Sequence, residues 1–240
     1  RPKEPHWYDL VSVSREEKFG FREDVDSIVH VNSAFATPAF YLLKFGGQSS
    51  LDFLMRMVNE FFDKYCAGRE KVQFALPDGK RVSLYEGVDL WTAHRVMVGT
   101  LLPHVIVSVL MAFEKYALKL DANASLADSE NWCLDLLSRA NSVAIPGLLT
   151  GVVLKNKWKF MRLALTLFSC REALAFDLQR SSMEATKFDL DFYGRNDPCA
   201  SLYRYDRDEV KKEEFRKESL EFLLIAYQMV RQGVEGEAER

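Results

Sequence analysis

Ligand-binding signatures are scarce in this 240-residue chain. Cysteine appears four times, as Cys66, Cys133, Cys170 and Cys199, with no CxxC pair and no histidine beside any of them. Zinc sites need close pairs of ligands, and disulfide frameworks belong to short, cysteine-dense secreted chains, so neither is expected. The reading is of reduced thiols and a cytoplasmic protein. No GxxxxGK[ST] and no GxGxxG after a strand is present, which removes the common phosphate loops. No GxSxG or Cys/His nucleophile pattern occurs either. Excess charge of one sign is also missing. The formal net charge is −3, with no general pull toward nucleic acid or anionic lipid, so neither is expected as a partner. The first residues, "RPKEPHWYDL", have no apolar run after the charges and are not a signal peptide. The chain opens at Arg1 without an initiator Met, the expectation for a piece of a longer polypeptide.

One long uncharged run stands out, the eighteen residues between Arg95 and Glu114. Eighteen is the length at which a membrane span becomes a candidate. Pro103 interrupts it, and proline inside a helix removes a hydrogen bond and clashes with the preceding turn. The run therefore predicts a break, with a fresh helix starting at Pro103 and buried in a core.

Hydrophobic residues make up 48% of the chain and charged residues 28%, the balance of an ordinary globular protein. Seventeen Phe are read as interhelical packing. Short helices are expected after Ser14 and over Asp24–Val29. "TPAFYLLKF" (37–45) reads as a helix with Pro38 at its start and Gly46-Gly47 as its stop. Leu51, Leu54, Met55, Val58, Phe61, Phe62 and Tyr65 recur at helical spacing, behind a Ser49/Asp52 capping box. Over 71–85, two β-favouring runs flank Pro77-Asp78-Gly79-Lys80, a hairpin with turn residues in place. Helices are predicted over 126–140, over 143–154 with Ser142 as N-cap, and in two segments joined near Ser169. Residues 186–205 read as a loop, and 207–231 as one long helix whose charges form i,i+4 pairs. The fold class is mainly α: an irregular helical bundle or α-solenoid with one small β-hairpin. The organisation is an N-terminal segment (1–36), a helical core with the hairpin (37–185), a loop (186–205), and a C-terminal helix and tail (206–240).

Each chemical motif has a plainer reading beside it. "KFGGQSS" lacks the phosphate-loop Lys and reads as a helix stop and restart. "PDGK" resembles the start of a PD-(D/E)xK nuclease, but after Glu86 no Lys follows at the required spacing, and the turn reading stands. His94 and His104 could meet across Pro103, with no acidic ligand evident nearby. Asp189, Asp191 and Asp197 share a loop without EF-hand spacing. Asp177 and Arg180 sit at i, i+3 and read as a structural ion pair. No catalytic, cofactor-binding or metal-ligating residue is assigned.

Three stretches carry a resemblance. They are "PAFYLLKFGGQSSLDFLMRMVNEFFDKY", "LWTAHRVMVGTLLPHVIVSVLMAFEKYAL" and "RANSVAIPGLLTGVVLKNKWKFMRLALTLFSCREALAFDLQR", with "LMAFEKY" (110–116), "NSVA" (141–144) and "FDLQR" (176–180) the most specific parts. In this order, over 38–182, they resemble a helical region beyond the NTPase module of large bacterial STAND-type P-loop ATPases, AVAST-like anti-phage sensors among them. The resemblance implies a non-catalytic sensor or protein-interaction region, with ATP and Mg²⁺ bound elsewhere in the parent protein. It implies as partners a protein, of phage origin in the defence setting, and other regions of the same NTPase. The expected partner face is the aromatic, arginine-bearing segment with Tyr193, Arg195, Tyr203, Arg204 and Tyr205, since Tyr and Arg are favoured at binding hot spots. The competing expectation is a small α-helical metal-dependent hydrolase using Asp189, Asp191 or His104.

Overall fold

A computed structural model describes residues 32–95, 102–120, 125–185 and 199–238. The helices expected near Ser14 and over 24–29 lie outside these residues, as do Asp189, Asp191, Asp197, Tyr193 and Arg195. The described chain is mainly helical, with one two-stranded antiparallel hairpin.

The first helix, α1, spans Ala39–Phe45, with Pro38 as its N-cap residue. Next, α2 runs Gly47–Tyr65 and buries Leu51, Leu54, Met55, Val58, Phe61 and Phe62, the stripe that the helical spacing predicts. The Ser49 capping box does not form. The helix begins two residues earlier, at Gly47, whose φ of 59° is left-handed. Asp52 instead accepts from Gln48 Nε2 at 3.0 Å and Arg139 Nη2 at 2.7 Å.

The hairpin pairs β1 (Lys71–Ala75) with β2 (Arg81–Tyr85) in the register Lys71↔Tyr85 to Ala75↔Arg81. Gly79 adopts φ 84° in the turn, and Asp78 Oδ1 accepts the Lys80 amide at 3.0 Å. Val72, Phe74 and Leu84 point into the core, as period-two alternation requires. The edge of β2 continues onto the "NSVA" stretch. The Tyr85 amide donates to the Asn141 carbonyl at 2.8 Å, and the Val143 amide to the Tyr85 carbonyl at 3.0 Å. Asn141 Nδ2 in turn donates to the Asn59 carbonyl of α2 at 2.7 Å.

Helix α3 (Val88–Trp91) and a 3-10 turn (Ala93–Arg95) lead to the uncharged run. Pro103 is the N-cap of α4 (His104–Lys119), so the break falls where proline demands it. Then come α5 (Leu126–Ser138), capped by Ser125 Oγ on the Asp128 amide, and α6 (Ala144–Lys155). Ser142 Oγ accepts the Ala144 amide at 3.4 Å, one residue outside the N-cap position at Val143. Helix α6 is buried on every face from Ala144 to Leu154. It tolerates Pro146 because first-turn amides have no intrahelical acceptor. Elements distant in sequence pack around it, the arrangement of a bundle wrapped on a central helix. No helix among the described residues is long and apolar enough to cross a membrane.

The chain continues through α7 (Met161–Phe168) and α8 (Arg171–Ala185). Beyond 198 the structure departs from expectation. Residues 200–205 are helical, not loop, as the start of α9 (Ala200–Lys212). The single long helix predicted over 207–231 is two. A 3-10 turn (Glu214–Lys217) separates α9 from α10 (Leu220–Ala238), with Glu213 and Glu218 extended. No Gly or Pro marks this break. It forms because the turn buries Phe215 and Arg216 against the bundle, and packing overrides helix propensity.

Candidate functional site

Beneath the 3-10 turn that precedes α10, six charged side chains from four elements meet, all but the partly exposed Glu184 largely out of water. Glu114 comes from α4, Arg95 from the turn after α3, Asp177, Arg180 and Glu184 from α8, and Arg216 from the turn before α10. Arg180 is only 1% exposed. Its Nε donates to Asp177 Oδ1 at 2.6 Å and its Nη1 to Glu184 Oε2 at 2.7 Å. The same guanidinium donates to the carbonyl oxygens of Arg216 (2.8 Å) and Glu218 (2.5 Å), holding the backbone of the turn on both sides. Asp177 Oδ2 accepts the Leu220 amide at 2.7 Å, satisfying a free donor at the start of α10. The i, i+3 pair is thus structural, as its spacing suggests, and it also fastens the C-terminal helix to the body.

Glu114 Oε1 accepts from Arg216 Nη2 at 3.2 Å, makes an ion pair with Arg95 Nη2 at 3.2 Å, and lies 3.8 Å from His94 Nε2. Arg95 Nε lies 3.3 Å from Glu184 Oε1 and closes the lattice. Three guanidinium groups face three carboxylates, so the formal charges balance. Room for the Glu114 carboxylate comes from Gly151 of α6: a Cβ there would stand 2.9 Å from Glu114 Oε1 and 3.4 Å from Arg95 Nη2.

Burial pushes the Glu114 carboxyl up to about 7, against the pull of Arg95 and Arg180 and with the push of Glu184. Burial, with the Arg95 and Arg180 charges, holds His94 well below the usual imidazole range. Burial opposes the charge on Arg180, but its bonds to Asp177 more than offset this and raise its pKa. Both ring nitrogens of His94, Nε of Arg95, and Nε and Nη1 of Arg216 are buried without a hydrogen-bond partner among the described residues.

His94 and His104 have separate surroundings: His94 faces Glu114, an acidic neighbour that sequence spacing did not reveal, while His104 Nδ1 lies 2.5 Å from Asn32 Oδ1. Among the described residues, no group of three or more His, Cys, Asp or Glu side chains could hold a metal ion. An open groove of about 550 Å³ lies between the end of α6 and the turn before α10, lined by Lys155, Lys157, Lys212, Glu213, Glu214 and Phe215. No member of the lattice lines it. The lattice is enclosed, and its chemistry is that of a joint between helices.

Of the expected partner residues, Tyr205 on α9 is 64% exposed, and Tyr203 and Arg204 are half-buried. Asp206 anchors this helix by accepting from Ser33 Oγ at 2.7 Å and from Lys115 Nζ. Sequence reasoning missed a second face. Helix α10 buries Leu220 and Leu223 and stacks Tyr227 on Trp158, with ring centroids 4.6 Å apart. Its opposite side exposes Phe222, Ile225 and Met229, at i, i+3 and i+7. The available signal was "LEFLLIAYQMV", which holds more apolar positions than one buried stripe needs. Compared with known proteins, the chain matches no protein-family model and no curated protein.

Proposed function

We propose that this chain is a non-catalytic helical interaction region of a large bacterial STAND-type NTPase acting in anti-phage defence in the cytoplasm. The ligand on this reading is a protein, and ATP and Mg²⁺ belong to the parent's NTPase module. One observation carries the interaction role: α10 is apolar on both sides, with Phe222 68% and Met229 67% exposed on the side turned away from the bundle. Exposed apolar residues in a row on one helix face suit helix-in-groove recognition by a partner protein. Leu202 and Tyr205 on α9 offer a smaller second contact. The enclosed lattice fits the same role, since it fixes the turn that carries α10.

Two measurements test the reading. Intact mass and flanking peptide sequence of the native protein should show a much larger polypeptide carrying GxxxxGK[ST]. A native mass near 27.6 kDa would overturn the parent-NTPase assignment. The doubly substituted Phe222→Ser, Met229→Ser protein should keep its thermal midpoint and lose cross-linking to the rest of that polypeptide or to its ligand. Undiminished cross-linking would remove this face of α10 from consideration.

A further inference from the structure

The net charge of −3 is an average over the chain, and it hides a local arrangement around α1. Four aromatic rings form a continuous ladder there. Phe35 and Phe40 meet edge to face with centroids 5.1 Å apart, Phe40 and Tyr41 do so at 5.7 Å, and Tyr41 and Phe45 lie parallel at 6.5 Å with 5° between their planes. The inner rungs are packed, and the outer two are open: Tyr41 is 53% and Phe45 73% exposed. Lysines edge the ladder. Lys115 Nζ lies 4.6 Å from the Phe35 centroid, Lys119 Nζ 5.3 Å from Phe40 and Lys44 Nζ 4.9 Å from Phe45. Lys115 is paired with Asp206, while Lys44, Lys119 and the exposed Lys155 make no ion pair among the described residues. These ammonium groups feel one another: burial lowers the Lys119 pKa, and the charges of Lys115, Lys44 and Lys155 lower it further against the opposing pull of Asp206.

We propose that the Tyr41–Phe45 ladder and its lysine rim form a binding platform for single-stranded nucleic acid. Every nucleobase has a flat face that stacks on an aromatic ring, and every nucleotide carries one phosphate charge beside that face. The platform offers the matching pair, the exposed rings of Tyr41 and Phe45 with Lys44 and Lys119, which make no ion pair among the described residues. An anionic membrane fits less well. Interfacial aromatics sink into the acyl boundary while lysines stay in the headgroups. Here the ammonium groups lie 4.6–5.3 Å from the ring centroids of Phe35, Phe40 and Phe45, so burying the rings would drag the charges with them. The platform is independent of the exposed face of α10.

The test is fluorescence anisotropy of the whole chain with a labelled oligo-dT of about a dozen nucleotides, a length that spans a typical single-strand site. Wild type should bind at low salt. Tyr41→Ala and Phe45→Ala should each weaken binding about ten- to hundredfold, the usual worth of one stacked base. Both residues are exposed, so the thermal midpoint should not move, and Tyr41→Phe should retain binding. Lys44→Gln and Lys119→Gln should each flatten the log–log salt slope by about 0.7, the value for one released counterion on a single strand. No binding by wild type would overturn the proposal. So would binding that the aromatic substitutions leave unchanged, which would mark diffuse charge. Binding to phosphatidylserine/phosphatidylcholine vesicles without binding to the oligonucleotide would assign the face to a membrane and equally overturn it.

Discussion

Glu114 and His94 lie 3.8 Å apart, and burial shifts both toward their neutral forms, so the pair should leave a specific mark on stability against pH. The folded state holds Glu114 with a pKa of about 7, against 4.5 for the free side chain. Its contribution is therefore fully present below pH 4.5 and is lost as pH rises through 7. At about 1.4 kcal/mol per pKa unit, the whole limb is worth about 3 kcal/mol. His94 acts in the opposite sense. Its folded pKa lies well below 6.5, so its contribution is present above pH 6.5 and is lost as pH falls toward the folded value. Where folded His94 is neutral and Glu114 is still protonated, the folded chain keeps one proton on Glu114 and the unfolded chain keeps one on His94. The two limbs oppose each other there, and the wild-type pair should contribute less slope than either group alone. Substitution uncovers them. With His94→Gln, stability should fall by about 1.4 kcal/mol per pH unit from 4.5 toward 7. With Glu114→Gln, it should rise with pH up to about 6.5 and then level off. Urea unfolding at half-unit pH steps reads this as the difference between each variant and wild type, which removes the background of other titrating groups. A Glu114→Gln difference that stays constant from pH 4.5 to 7 would refute the reasoning, since Glu114 would then titrate alike in both states.

Further expectations follow from the same packing. Asp177→Asn leaves Arg180 buried with half its compensation, and breaking a buried pair costs about 3–5 kcal/mol; urea unfolding measures the loss, and hydrogen exchange at Leu220–Tyr227 should speed up most. Gly147→Ala would drive a Cβ against the Trp91 carbonyl oxygen, forcing α3 away from α6 at a cost of about 1–3 kcal/mol by thermal denaturation. Burial pushes the Cys66 and Cys170 thiols up to about 11, so in the native protein the exposed Cys199 should react first with a disulfide reagent, as peptide mass mapping would show.

Local chemistry made some of the fold legible and long-range contact hid the rest. The hairpin bounds follow from a turn whose residues each prefer their position, with Gly79 at a φ other residues resist. Pro103 fixed the start of α4 because its constraint is intrinsic to the ring. The break at Glu213–Ser219 has no such local cause. It depends on Phe215 and Arg216 finding places inside the bundle, and Arg216 meets Glu114 across 102 positions of sequence. Glu114 itself gave a weak sign, as an acid at the end of an otherwise apolar run, and nothing nearby in sequence named its partners. The start of α9 at Ala200 was missed for a related reason: "ASLYRYDRDEV" has few apolar positions to show a period, and its hold on the body is the polar contact of Asp206 with Ser33 and Lys115.

The stretches that carry the resemblance to the STAND-type region have definite places in this structure. "LMAFEKY" supplies Glu114, "FDLQR" supplies Asp177 and Arg180, and "NSVA" pairs with the edge of the hairpin. All of these residues hold the bundle together from within. A match confined to them speaks for a shared way of packing helices and says little about what a surface binds, because function resides in sites carried by a fold. The exposed apolar residues stand elsewhere, with Phe222, Ile225 and Met229 on α10 and with Tyr41 and Phe45 on α1. Agreement between this chain and a true relative at the lattice positions is therefore compatible with any ligand. Agreement at the exposed positions would distinguish a common partner from a common scaffold.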